Sequence, residues 1–159
     1  MVTLKDEIKQ TREFSSKREE AILELLRTND RIQIQTFRLL REYGLTEAQY
    51  NILRILRGAG APLPCLEIAN RMITVAPGIT RLLDRLETAG LVKRTRSSKD
   101  RRIVHIEMTR AARSVLTHLD KPIKAINEKI LGHMSNSELK QLIRLSRRAR
   151  ERCSSGVLV

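Results

Sequence analysis

A chain of 159 residues with 31 Lys and Arg against 18 Asp and Glu carries a formal charge of +13, which points to a polyanionic partner, nucleic acid ahead of an anionic membrane surface. Two Tyr, two Phe and no Trp leave a core of Leu, Ile, Val and Ala, suited to packed helices and unsuited to stacking single-stranded bases. Two cysteines without CxxC spacing (Cys65 and Cys153), a first segment charged from Lys5 onward and no apolar run of spanning length set the expectation of a soluble protein in a reducing cytoplasm, with no membrane partner.

In chain order, apolar residues at helical spacing (Ile22, Leu25, Leu26, Ile32, Leu39, Leu40, Tyr43) predict one long helix over 14–43, stopped by Gly44. Residues 1–13 either extend it or fray, and Ser15 and Ser16 allow a break. Thr46 and Gln49 form a predicted capping box, with Leu45 and Tyr50 as its hydrophobic staple. That helix runs to about Arg57, before Gly58, Gly60 and Pro62. Pro64 suits the first position of a short helix over 64–71. Thr74 is the expected cap of a helix over 75–89, which buries Ile79, Leu82, Leu83 and Leu86 and tolerates Pro77 in its first turn.

After Gly90 the period changes to two, which predicts strands over 91–96 and 103–108 joined by a tip at 97–102. Thr109 is expected to cap a helix to Leu131, kinked or divided at Pro122. Ser135 and Glu138 form a second capping box, for a helix over 136–152. The predicted fold class is mainly α with a small β-hairpin wing: a winged helix-turn-helix plus flanking helices.

A short helix, a tight turn and a second helix give a rod whose width matches the DNA major groove. Opposite its apolar stripe the second helix carries Ala76, Pro77, Thr80, Arg81 and Arg85. Arg81 is the candidate guanine reader, because its planar fork bonds two acceptors at once. Thr80 would meet a thymine methyl or a phosphate, and the first turn after Thr74 would present amides to a phosphate. The hairpin holds six Lys or Arg (Lys93, Arg94, Arg96, Lys99, Arg101, Arg102) and one Asp between Leu91 and Arg102. Lys99, Arg101 and Arg102 suit phosphates and a narrow minor groove, and Asp100 would pair with a nearby Arg and stiffen the tip.

Plainer readings compete. Arg81, Arg101 and Arg102 also fit a solvated surface, and Arg85 fits a pair with Asp84, Glu87 or Asp100. Cys65, near a helix start, is either a reactive thiol or a small packing residue. His105, His118 and His133 lack ligand spacing, so no metal is expected. The basic run Lys140, Arg144, Arg147, Arg148, Arg150 and Arg152 faces DNA, solvent or the acids Glu19, Glu20 and Glu24. No P-loop, nucleophile motif or paired carboxylates occur, so neither enzymatic activity nor a cofactor is expected.

The stretch VAPGITRLLDRLETAGLVKRTRSSKDRRIVHIEMT (75–109) resembles the signature of the MarR family. The matching features are LDRLETAGLV at the helix end and Asp-x-Arg at Asp100 and Arg102. The resemblance implies a homodimer, with 1–43 and 110–159 as a helical dimerisation region and 44–109 as the DNA-binding domain. It also implies a transcriptional regulator, cytoplasmic and nucleoid-associated, on a pseudo-palindromic double-stranded operator, with Arg102 in the minor groove. It implies repression relieved by a small aromatic or phenolic effector, for which Phe37, Tyr43, Tyr50 and His118 are candidate lining residues and equally candidates for core. Peroxide-sensing members carry an N-terminal cysteine, which this chain lacks. The alternatives are an architectural DNA-binding protein with little sequence preference and a thiol-based redox regulator using Cys65.

Overall fold

Side-chain caps decide where most of the helices begin. In the computed structural model, which describes residues 2–75, 78–96 and 104–153, a short helix α1 (Leu4–Glu7) starts at a Thr3–Asp6 capping box and buries Leu4. Glu7 then reaches Arg27 at 3.0 Å. The long helix α2 (Lys17–Glu42) opens at Ser16, whose hydroxyl accepts the Glu19 N–H at 3.2 Å. It therefore begins three residues later than periodicity predicts, because the serine turns the backbone outward to cap. The predicted box at Thr46–Gln49 starts α3 (Glu47–Ala59), with both bonds present and Leu45 and Tyr50 buried beside it. Gly58 stays helical; the stop is Gly60, whose φ of +66° a side chain would resist.

Two elements depart from expectation in kind. Leu63–Pro64 forms a two-residue strand, β1, and Pro64 is the N-cap of α4 (Cys65–Asn70) rather than its first residue. The helix α5 (Ile79–Thr88) is shorter than 75–89. Its N-cap is Gly78 at φ +76° with no side-chain cap, so Thr74 does not cap it. A left-handed residue cannot continue a right-handed helix, and that sets the start. The first-turn role given to Pro77 lies outside the described residues.

Strands β2 (Val92–Arg96) and β3 (Val104–Met108) pair antiparallel, from Val92 opposite Met108 to Arg96 opposite Val104. β1 joins the other side of β3, giving a three-stranded sheet in the order β1-β3-β2 where two strands were predicted. Thr109 then caps α6 (Arg110–Leu131): its hydroxyl accepts the Ala112 N–H at 3.3 Å and donates to the Gly90 carbonyl at 2.8 Å. The helix is continuous through Pro122, which removes one ladder N–H without breaking it. The Ser135–Glu138 box opens α7 (Asn136–Arg150).

The chain divides into two compact units, Met1–Asp120 and Lys121–Val159, with the boundary inside α6. The first holds the core: Leu40, Ile52, Leu53, Ile68, Leu83, Leu86, Ile106, Leu116 and Leu119 are all fully buried. Each is worth about 1.5–3 kcal/mol of transfer free energy. The second has no buried residue among those described, and its α7 leaves Leu142, Ile143 and Leu145 exposed.

Candidate nucleic-acid interface

Helix α5 presents two faces. Leu83 and Leu86 are buried, Ile79 and Leu82 are half-buried, and Thr80, Arg81, Asp84, Arg85 and Thr88 are exposed. The turn leading to it is fastened to α3, since the Asn51 side-chain oxygen accepts the Ile73 N–H at 3.1 Å. Thr74 is exposed in this turn, and Ile73 and Val75 stand in solvent at 78% and 94% exposure.

The cations of α5 and the hairpin fall into two groups. Arg94 is bound inward: its guanidinium donates to Asp84 at 2.6 Å and to Glu87 at 2.5 Å, and its backbone N–H donates to Glu87 at 3.2 Å. The Asp84 bond, helped by the Glu87 charge, raises the Arg94 pKa further above its ordinary value against the opposing cost of burial. Lys93 pairs with Glu107 on β3 at 2.9 Å. Arg81, Arg85 and Arg96 are exposed, and none has an ion pair among the described residues. The partners expected for Arg85, Asp84 and Glu87, serve Arg94 instead.

The six-cation hairpin is therefore not one uniform block: Lys93 and Arg94 are engaged within the fold. Sequence reading missed this fork. Its only trace is two acids three apart on a helix followed seven residues later by an Arg, a pattern that also fits pairing within the helix. Ala76, Pro77, Lys99, Asp100, Arg101 and Arg102 lie outside the described residues.

The four residues considered for an effector pocket are placed differently. Tyr50 is buried on α3, with the Arg54 guanidinium 5.8 Å from its ring centroid. Burial raises its phenol pKa, opposed by Arg54 and Arg57. Arg57 forks onto Asp120 of α6 at 2.8 and 3.0 Å. Tyr43 is half-buried after α2, whereas Phe37 is exposed, with Arg41 over its ring at 5.6 Å. His118 is exposed on α6, its Nδ1 2.7 Å from the Ser114 carbonyl. No hydrogen bond or ring contact joins these four among the described residues.

Cys65 is half-buried at the first position of α4, and the exposed Cys153 thiol lies 3.4 Å from the Ala149 carbonyl. Glu19 and Glu20, considered as partners of the α7 cations, are engaged by Ser15 and Lys17. Among the described residues no three His, Cys, Asp or Glu converge to hold a metal, and no helix is long and apolar enough to cross a membrane.

Comparison with known proteins agrees with this architecture. The MarR family profile matches residues 45–104, from the start of α3 to the start of β3. The HTH-type transcriptional regulator FarR of Neisseria gonorrhoeae is 30% identical over 123 residues, 75% of this chain and 83% of that protein. The HTH-type transcriptional repressor MdtR of Bacillus subtilis is 31% identical over 111 residues, 70% of this chain and 71% of that protein. The crystal structure of a MarR transcription factor from Planctomyces limnophilus is 40% identical, covers 85% of this chain and 98% of its own, and superposes with a TM-score of 0.65. The chain belongs to the MarR family: it is a winged helix-turn-helix, DNA-binding transcription regulator and not an enzyme.

Proposed function

We propose that this protein is a homodimeric repressor that binds a pseudo-palindromic duplex operator in the cytoplasm, at the nucleoid. In this reading α5 enters the major groove through Thr80, Arg81 and Arg85, assisted by Thr74, Ala76 and Pro77 before it. Lys99, Arg101 and Arg102 follow the minor groove and its phosphates, and Asp100 stiffens the tip. The observation that carries the reading is the division of cations. Arg81 and Arg85 stand exposed and unpaired among the described residues, although two carboxylates lie on the same helix and are taken by Arg94. Uncompensated guanidinium groups on a groove-sized rod are a match for guanine edges and phosphates.

Residues 44–109 would form the DNA-binding domain, with 1–43 and 110–159 as the dimerisation region. Support for a second copy comes from apolar side chains that one chain leaves wet: Ile22, Leu25 and Leu26 on α2, and Leu142, Ile143 and Leu145 on α7. Support for repression comes from the Bacillus relative, which is a transcriptional repressor.

Selection from a random duplex pool tests the reading, with an inverted repeat as the expected product. Arg81→Ala should weaken the selected site by about 1–3 kcal/mol and relax preference at one base per half-site. Arg102→Ala should weaken all sequences alike and lower the salt dependence. Binding without an enriched repeat would favour an architectural role instead. An aromatic or phenolic acid that acts near Tyr43 and Tyr50, with Phe37 and His118 at the margin, would release bound DNA, and a gel-shift screen of such acids reads this directly.

A further inference from the structure

Along β2 the side chains alternate. Val92 is buried and Arg94 half-buried on one side, while Lys93 and Thr95 are exposed on the other. Asp84 and Glu87 are three apart on α5, so their carboxylates lie on neighbouring positions of one helical face. One residue spans the gap between helix and strand with three hydrogen bonds, two from the guanidinium fork and one from its own backbone N–H. Val92 packs at the base of the hairpin. Farther out along β2, the hydrogen bonds to α5 among the described residues are all made by Arg94, through its fork and its backbone N–H.

We infer that Arg94 is a positioning residue for DNA recognition: through Asp84 and Glu87 it locks the β2–β3 hairpin to α5, so that Arg96 stands at a set distance from Arg81 and Arg85. This deepens the operator-binding reading and rests on it. Half-exposed ion pairs contribute little to stability. A planar fork on two acceptors nevertheless restricts direction, which a single ammonium does not. Groove contacts made at two places by one rigid body depend on their separation, so the fork should matter far more to recognition than to folding.

The test uses the full-length wild type, Arg94→Met, and the triple variant Asp84→Asn, Glu87→Gln, Arg94→Met, on the selected duplex over a salt series. The triple variant exchanges two negative charges and one positive for none, so it is one charge more positive than wild type. On charge alone it should bind more tightly. Positioning predicts the opposite. Both variants should melt near the wild-type temperature, bind about tenfold or more weakly, and show a shallower slope of log affinity against log salt, by about 1 for each phosphate no longer neutralised.

A triple variant that binds as tightly as wild type with the same slope would overturn the inference, and so would an unaffected Arg94→Met. If Arg94→Met alone fails to fold, the triple variant, free of stranded carboxylates, decides. If both fail to fold, Arg94 is a stability residue and the inference falls. Wild type that binds no duplex sinks the operator reading along with this one; wild type that binds, with unaltered variants, sinks this one alone.

Discussion

Gly78 sits at the entrance of α5 with φ +76°, and a Cβ placed there would meet nothing within 4 Å. Any cost of a side chain is therefore backbone strain rather than a clash. Gly78→Ala should destabilise the protein by about 1–2 kcal/mol, read as a lower urea midpoint at unchanged slope. Leu53 is the opposite case, fully buried on α3. Leu53→Ala should cost about 2–5 kcal/mol by the same measurement, the spread reflecting how far the core closes over the gap. Its effect on DNA binding should follow the folded fraction, because the side chains proposed to face the groove are untouched.

Among the elements, α7 shows how a local cap becomes visible in titration. Glu138 accepts from the Ser135 hydroxyl at 2.7 Å and from its N–H at 2.8 Å. The hydroxyl bond first, then the backbone bond, lowers the carboxyl pKa below its ordinary value. A depressed acid stabilises the fold above the ordinary carboxylate pKa, and the contribution disappears as pH falls through the lowered one. Ser135→Ala should move the Glu138 titration part of the way back up, since the backbone N–H remains. Side-chain carbonyl NMR shifts against pH would show it, and an unmoved midpoint would count against the box.

The elements also show what was legible in the sequence. The Thr46–Gln49 and Ser135–Glu138 boxes and the Thr109 cap were readable, because a capping residue and its partner lie within one turn. Thr74 misled, since a good capping residue says nothing of the left-handed glycine four positions on. β1 was illegible because two residues carry no period, and its pairing with Ile106 and His105 is set by a strand far along the chain. The site divided in the same way. The exposed positions of Thr80, Arg81 and Arg85 follow from helical spacing, whereas Arg94's choice of partners depends on how the strand returns over α5.

At the scale of the whole molecule, a charge of +13 makes affinity for duplex DNA a function of salt before it is a function of sequence. Nonspecific duplex should dissociate first as salt rises, and the selected repeat should outlast it; equal dissociation of both would contradict groove reading. The proposed dimer adds a second expectation. A native state built from two chains gains stability with concentration, so the melting temperature should climb with protein concentration. A constant melting temperature with a monomer's sedimentation would refute the assembly.

The sheet order β1-β3-β2 leaves β2 on the outside. A bare outer strand is a template on which a foreign chain can add as a further strand. Here one amide of that rim is already occupied by a carboxylate, Arg96 at its last position is exposed with no ion pair among the described residues, and the opposite rim is two residues long and ends in proline. The unpaired charge of Arg96 would thus also repel a second copy approaching this edge. Concentrated brine, by screening that repulsion, is the storage condition in which fibrils should first appear.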